Sequence, residues 1–189
     1  KKPRYWEKTK HILHFPQYLS YILTGRIVSD YTSIGCHTAV WDFDNMKYHK
    51  WLEDENIILP DPVSNSRISK YIANGKEINV GIGIHDSSAS LVPYLEAAGH
   101  RDFILISSGT WAINMNPFSK DKLTSDELKK DCLCYMSVNQ QQVKSSRLFL
   151  GHIHEINCMK LSEHYGVSEN EFKNVPADTE ILKRLISEN

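Results

Sequence analysis

Long hydrophobic runs are missing from this sequence. The longest, residues 78–84, falls far short of the roughly 20 apolar residues that a membrane-spanning helix needs. An excess of one charge is missing too: 22 Lys and Arg face 23 Asp and Glu, for a formal net charge of −1. Nothing in that balance draws the chain to nucleic acid or to an anionic membrane, so neither is expected as a partner. Cysteine is scarce, with four residues in 189. A chain of this size with 41% hydrophobic residues can bury a core without disulfide staples, so reduced thiols and a cytoplasmic location are expected. The only metal-like pattern is Cys132 and Cys134 on an expected strand, with His152 and His154 further on. Zinc sites space their cysteines more widely, and no metal ligand is assigned. His11 and His14, three apart on an expected helix, read as surface or packing residues. A Gly-x-x-x-x-Gly-Lys-Ser/Thr loop is absent, as is a Gly-x-Gly-x-x-Gly turn opening a helix, which excludes the P-loop and Rossmann readings. The chain opens Lys1-Lys2-Pro3-Arg4, without Met and without an apolar core behind it. The expectation is therefore no signal peptide, and a piece of a longer chain.

What is present begins with a solvated basic end over residues 1–10. Pro16 then opens a helix over 17–23 that Gly25 stops. Ser29-Asp30 caps a second helix over 31–40, and a third covers 47–55. Leu59-Pro60-Asp61-Pro62 reads as a rigid connection, and 63–76 as a polar, turn-rich stretch. The β-branched run 78–84 reads as a buried strand. It leads into His85-Asp86-Ser87-Ser88 and a helix over 89–98 closed by Gly99, with Pro93 as the one residue against regular geometry. Strands over 103–106 and 110–115 flank a Ser107-Ser108-Gly109 turn. Thr124-Ser125-Asp126-Glu127 is a capping box for a short helix. Strands over 133–138 and 142–143 surround Asn139-Gln140. Helices are expected from about 145 to Tyr165, after Ser168, and over 181–186.

Two places carry chemistry. Asp86 falls at a strand-to-helix junction, where open α/β sheets place ligands. The competing reading is a helix cap, a role to which Asp is well suited. The Ser107-Ser108-Gly109-Thr110 turn gathers backbone N–H groups and up to three hydroxyls with little bulk, which suits an anion such as phosphate. An ordinary hairpin with Gly in its turn is the alternative.

Gly83-Ile84-His85-Asp86 and Ser107-Ser108-Gly109-Thr110-Trp111 stand in a telling register, with Thr110 lying 24 positions after Asp86. Upstream stand Phe15-Pro16-Gln17-Tyr18-Leu19, Leu23-Thr24-Gly25 and Asp30-Tyr31-Thr32-Ser33. Together these resemble the FGGY carbohydrate kinases, on the rhamnulokinase and fuculokinase side, from about residue 12 to about residue 155. The resemblance implies an α/β, actin-like ATPase (RNase H-like) fold, with this chain holding parts of two domains. Residues 1–99 would be the C-terminal half of the N-terminal domain, on the sugar side. Residues 100–189 would start the C-terminal domain, on the nucleotide side. Asp86 would be the catalytic base that takes a proton from the sugar hydroxyl as it attacks the γ-phosphoryl of ATP. His85, Asp86 and Ser87 would bind the sugar, a ketose or deoxyketose, and Ser108, Gly109 and Thr110 the ATP phosphates. ATP and Mg²⁺ would be required, and the full-length protein could form a homodimer.

The chain departs from the family pattern in three respects. The family's first phosphate hairpin, of Asp-x-Gly-Thr type, is absent, and so is its Gly-rich adenosine-binding motif. Gly151 stands where the rhamnulokinase pattern has a substrate-binding Asn. The 189 residues alone are therefore expected to be inactive. Two alternatives stay open: a non-catalytic sugar- or partner-binding remnant of a kinase fold, and a distant actin-superfamily relative acting on another phosphate acceptor.

Overall fold

The computed structural model describes residues 3–36, 38–99 and 101–188, so Lys1 and Lys2 of the basic end lie outside the described residues. Two compact units emerge: Lys1–Ser107 with Ile113–Arg147, and Ser108–Ala112 with Leu148–Asn189. Among the described residues no helix is long and apolar enough to cross a membrane.

In the first unit, α1 (Pro3–Trp6) is followed by α2 (Phe15–Thr24), which starts on Pro16 and ends on Gly25 in the left-handed region, φ 67°. His11 and His14 are not on a helix: they lie in the extended segment before α2, with His14 at its N-cap. Strand β1 (Ser29–Asp30) runs into α3 (Tyr31–Ile34), capped by the Asp30 carboxylate. The helix expected over 31–40 ends at Ile34 because Gly35 packs hard on Met136. A Cβ on Gly35 would stand 2.6 Å from Met136 Cβ. Beyond it the chain forms β2 (Trp41–Asp42), paired antiparallel with β3 (Lys47–Tyr48). The ring of Trp41 meets Tyr31 and Tyr48 edge to face, at 5.7 and 5.5 Å between centroids. That aromatic packing overrides helical propensity on both sides, and the helix expected over 47–55 shrinks to α4 (Trp51–Asp54).

Strand β4 (Pro62–Val63) pairs in parallel with β1. The stretch expected as loop over 63–76 holds β5 (Ile68–Ala73), hairpinned to β6 (Lys76–Gly81). The turn is Asn74-Gly75, both with positive φ (50° and 75°). An Asn-Gly pair between strands is a strong hairpin signal, and it was legible in the sequence. Nor is 78–84 a buried strand. β6 ends at Gly81, Ile78 is 43% exposed, and burial begins only at Ile82. The segment from Ile82 to His85 is irregular, with Gly83 at φ +80°, and among the described residues it pairs with no strand, so the sheet-edge argument for Asp86 does not apply.

Helix α5 (Asp86–Ala98) starts three residues earlier than expected and continues through Pro93. Strands β7 (Leu105–Ser107) and β8 (Ala112–Asn116) pair antiparallel with Leu105 opposite Met115. Helix α6 (Ser125–Lys129) carries the expected capping box, Thr124 with Glu127. Strands β9 (Cys132–Met136) and β10 (Gln142–Leu148) complete a sheet of order β7-β8-β10-β9. The helix expected from 145 is strand to Leu148. Leu91 of α5, Met115, Tyr135 and Val143 form the main core with Cys36, and Ile34, Trp41 and Met136 form a second cluster. The second unit contains α7 (Leu150–Tyr165), stopped by Gly166 at φ 65°. A short 3₁₀ turn (Glu171–Asn174) and α8 (Thr179–Ser187) follow.

The α6 cap ties into the sheet through Lys144, whose Nζ lies 2.8 Å from Glu127 Oε1. That bond first, and then the Thr124 N–H and hydroxyl, hold Glu127 down to about 2 from 4.5. A depressed carboxylate stabilises the fold fully above its unfolded value and progressively less as pH falls towards the folded one. Glu127→Gln is therefore expected to flatten the acid limb of stability between pH about 4.5 and about 2, read as urea midpoints across that range.

Candidate active site

The segment that delivers Asp86 is held from several directions at once. Gln17, buried on α2, donates from Nε2 to the carbonyls of Ile82 (3.3 Å) and Gly83 (2.8 Å). One turn on, Ser20 Oγ donates to the Gly81 carbonyl at 2.8 Å. Three consecutive carbonyls are thus satisfied by one helix face, which matters because they belong to no sheet ladder beyond Gly81. Gly83 has φ +80°, and a Cβ there would come 2.5 Å from the Pro16 carbonyl oxygen. Only glycine tolerates both that conformation and that approach.

From the other side, Thr32 on α3 accepts the His85 N–H on its Oγ1 at 2.9 Å. Its hydroxyl in turn donates to Asp30 Oδ1. Asp30 is fully buried and caps α3 by accepting from the N–H groups of Thr32 (2.9 Å) and Ser33 (3.3 Å). Burial pushes its carboxyl above the usual range, opposed by these hydrogen bonds.

His85 is the N-cap of α5 and makes no side-chain cap bond. Its ring stacks on Tyr135, centroids 5.4 Å apart, and is mostly buried. Ser88 Oγ, which donates to the Met136 carbonyl at 2.7 Å, lies 3.5 Å from His85 Nδ1. Burial first, and His85 second, push His14 below the usual imidazole range. Asp86 is the first helical residue rather than the cap. Its Oδ1 accepts from the Ser87 N–H at 2.7 Å and lies 3.3 Å from His85 Nε2. The Asp86 side chain is 94% exposed. A carboxylate with a fixed direction, an imidazole at its side and open solvent in front is the arrangement a proton acceptor needs.

Ser108, Gly109 and Thr110 belong to the second unit. All three are exposed, and among the described residues neither their amides nor the two hydroxyls take a hydrogen bond. A Cβ on Gly109 would meet nothing closer than 4.0 Å. The loop is therefore exposed and free of side-chain bulk. It is anchored to the start of α7, where the Gly151 N–H donates to the Thr110 carbonyl at 2.8 Å. A Cβ on Gly151 would lie 3.2 Å from Thr110, which favours glycine at this departure from the family pattern. Trp111 stacks on Phe149 at 4.4 Å, and Phe149 on His152 at 5.4 Å. Among the described residues no group of three or more His, Cys, Asp or Glu could hold a metal ion.

The structure brings His85, Asp86 and Ser87 together in one unit and Ser108, Gly109 and Thr110 together in the other. Gln17, Ser20 and Thr32 were not singled out by sequence reasoning. For Gln17 and Thr32 the signal was membership of upstream stretches that carried the family resemblance; Ser20 lies in none of the stretches quoted.

Known proteins similar to this chain are carbohydrate kinases. The crystal structure of a carbohydrate kinase from Novosphingobium aromaticivorans matches with a TM-score of 0.66 and 25% identity, over 77% of this chain and 34% of that one. The fold is accordingly part of an actin-like ATPase architecture. Within the class, the chain is similar to rhamnulokinases. That of Pectobacterium carotovorum is 29% identical over 116 residues, 54% of this chain and 22% of that protein. The rhamnulokinase of Oceanobacillus iheyensis is 28% identical over 117 residues, 57% and 24%. The chain thus spans about a quarter or less of the length of these relatives. No protein-family model matches the chain.

Gly83→Ala should lower the unfolding free energy, measured by urea titration, by well over the about 1 kcal/mol that a positive φ alone costs, because the Pro16 backbone must also move. Gly81→Ala, with open space around it, is the control and should stay within about 0.5 kcal/mol of the parent.

Proposed function

We propose that this chain is the sugar-side and phosphate-hairpin portion of an ATP-dependent carbohydrate kinase, with residues 1–99 and 100–189 deriving from its two domains. The observation that carries the reading is Asp86: an exposed carboxylate held at the start of α5 by Gln17, Gly83 and Thr32, in a chain similar to rhamnulokinases. Asp86 takes the proton of the sugar hydroxyl as that oxygen forms its bond to the γ-phosphorus. The bond from the γ-phosphorus to the ADP oxygen breaks, and ADP leaves. His85 and Ser87 hold the sugar beside the carboxylate. The amides and hydroxyls of Ser108, Gly109 and Thr110 receive ATP phosphate oxygens. Mg²⁺, entering with the nucleotide, supplies neutralisation of phosphate charge. Such chemistry rests mainly on positioning and charge stabilisation, so one aimed carboxylate and an amide-lined loop are sensible parts of it. The acceptor is a ketose or deoxyketose, and the working compartment is the cytoplasm. A homodimer is the assembly proposed for the longer protein.

The test is ADP release from Mg-ATP with L-rhamnulose, L-fuculose and D-xylulose, using the longer polypeptide that carries these residues. Asp86→Asn is expected to lower kcat about 10²–10⁴-fold; equal turnover in both forms would remove Asp86 from the reaction. The 189 residues alone lack the first phosphate hairpin and the adenosine motif, and should release no ADP in response to sugar. A binding remnant without catalysis would instead take up sugar and give no turnover in any length of chain.

A further inference from the structure

Thr32 stands 53 residues from His85 in sequence and is not itself an expected ligand residue, yet its hydroxyl receives the His85 amide at 2.9 Å. That hydroxyl has one proton, which goes to Asp30 Oδ1. Its lone pairs are therefore left facing the N-cap of α5. Asp30 has no freedom to turn away, since it is fully buried and also holds the N–H groups of Thr32 and Ser33. The N-cap residue fixes where a helix begins and the direction of its first side chains. Here His85 lacks a side-chain cap bond of its own, so its backbone must be located from outside.

We propose that Thr32, oriented by the buried Asp30 carboxylate, is a positioning residue for Asp86: it pins the His85 amide and so sets the start of α5 and the aim of the carboxylate. The proposal rests on the reading of Asp86 as the base for its catalytic meaning, but not for its physical content. The Asp30–Thr32–His85 chain is a two-bond relay through two fully buried side chains. Loss of the hydroxyl removes the Thr32 acceptor from the part-buried His85 N–H, which a β-branched isostere such as Val cannot replace. Serine keeps the hydroxyl and loses only a methyl.

The test uses the 189-residue chain and amide hydrogen exchange followed residue by residue. Thr32→Val should lower the protection of the His85 amide by at least about tenfold, whereas Leu91 and its neighbours in the middle of α5 keep the parent's protection. Thr32→Ser should restore His85 to within about threefold of the parent. Circular dichroism on all three forms establishes that each is folded, and Thr32→Ser carries the decision if the valine form is not. Equal protection at His85 in parent and valine forms overturns the proposal. Serine behaving like valine, or loss spread evenly along α5, overturns it as well. In the longer polypeptide, Thr32→Val should lower kcat with KM held and Thr32→Ser should recover it. If that polypeptide phosphorylates no sugar while the exchange pattern is as expected, the kinase reading fails and the positioning role stands.

Discussion

The hydrogen bond from the His85 amide to the Thr32 hydroxyl ties α3 to the start of α5, which also share a core through Cys36 and Leu91. On one side is a buried carboxylate that caps a single-turn helix; on the other is the N-cap of α5. Gln17 and Ser20 reach the same segment from α2, and Gly83 lets the backbone come against Pro16. An exposed Asp would ordinarily sample many directions. These contacts leave Asp86 mobile only about its own side-chain bonds, with His85 and the Ser87 amide limiting even that. Positional restraint of this kind is what a proton acceptor requires, because misplacement by an ångström is costly in rate.

Much of this was legible in the sequence, though not for the reasons first available. Pro16, Gly25, Asp30, Gly99 and the Thr124–Glu127 box act as the helix signals they resemble, because capping is a local interaction of backbone with one side chain. The resemblance of Gly83-Ile84-His85-Asp86 and Ser107-Ser108-Gly109-Thr110-Trp111 to known kinases is matched by relatives and by fold. The function of Gln17 and Thr32 was not legible, since their partners lie 66 and 53 residues away. No periodicity reports a contact of that range. The run 78–84 was misread because β-branched residues favour a pleated strand whether or not it is covered. The helix expected over 31–40 was cut short by packing of Gly35 on Met136 and of Trp41 on two tyrosines, which propensity does not see. The Asn74-Gly75 hairpin was the one local signal overlooked.

Glycine has a different meaning at each functional place. At Gly83 it permits a backbone conformation and a close approach together. At Gly109 it keeps an exposed loop free of bulk, and at Gly151 it lets the start of α7 lie against Thr110. The Gly151 contact accounts for a position where the kinase pattern has a polar residue, with the N–H of Gly151 fixing the loop through its backbone instead.

The claim that His85, Asp86 and Ser87 face a sugar is tested most directly by titrating L-rhamnulose into the ¹⁵N-labelled 189-residue chain and following backbone amides by NMR. The account expects saturable shifts at His85, Asp86 and Ser87 without added nucleotide, weakened in Asp86→Asn. Shifts absent from those three amides, or unchanged by that substitution, would contradict it.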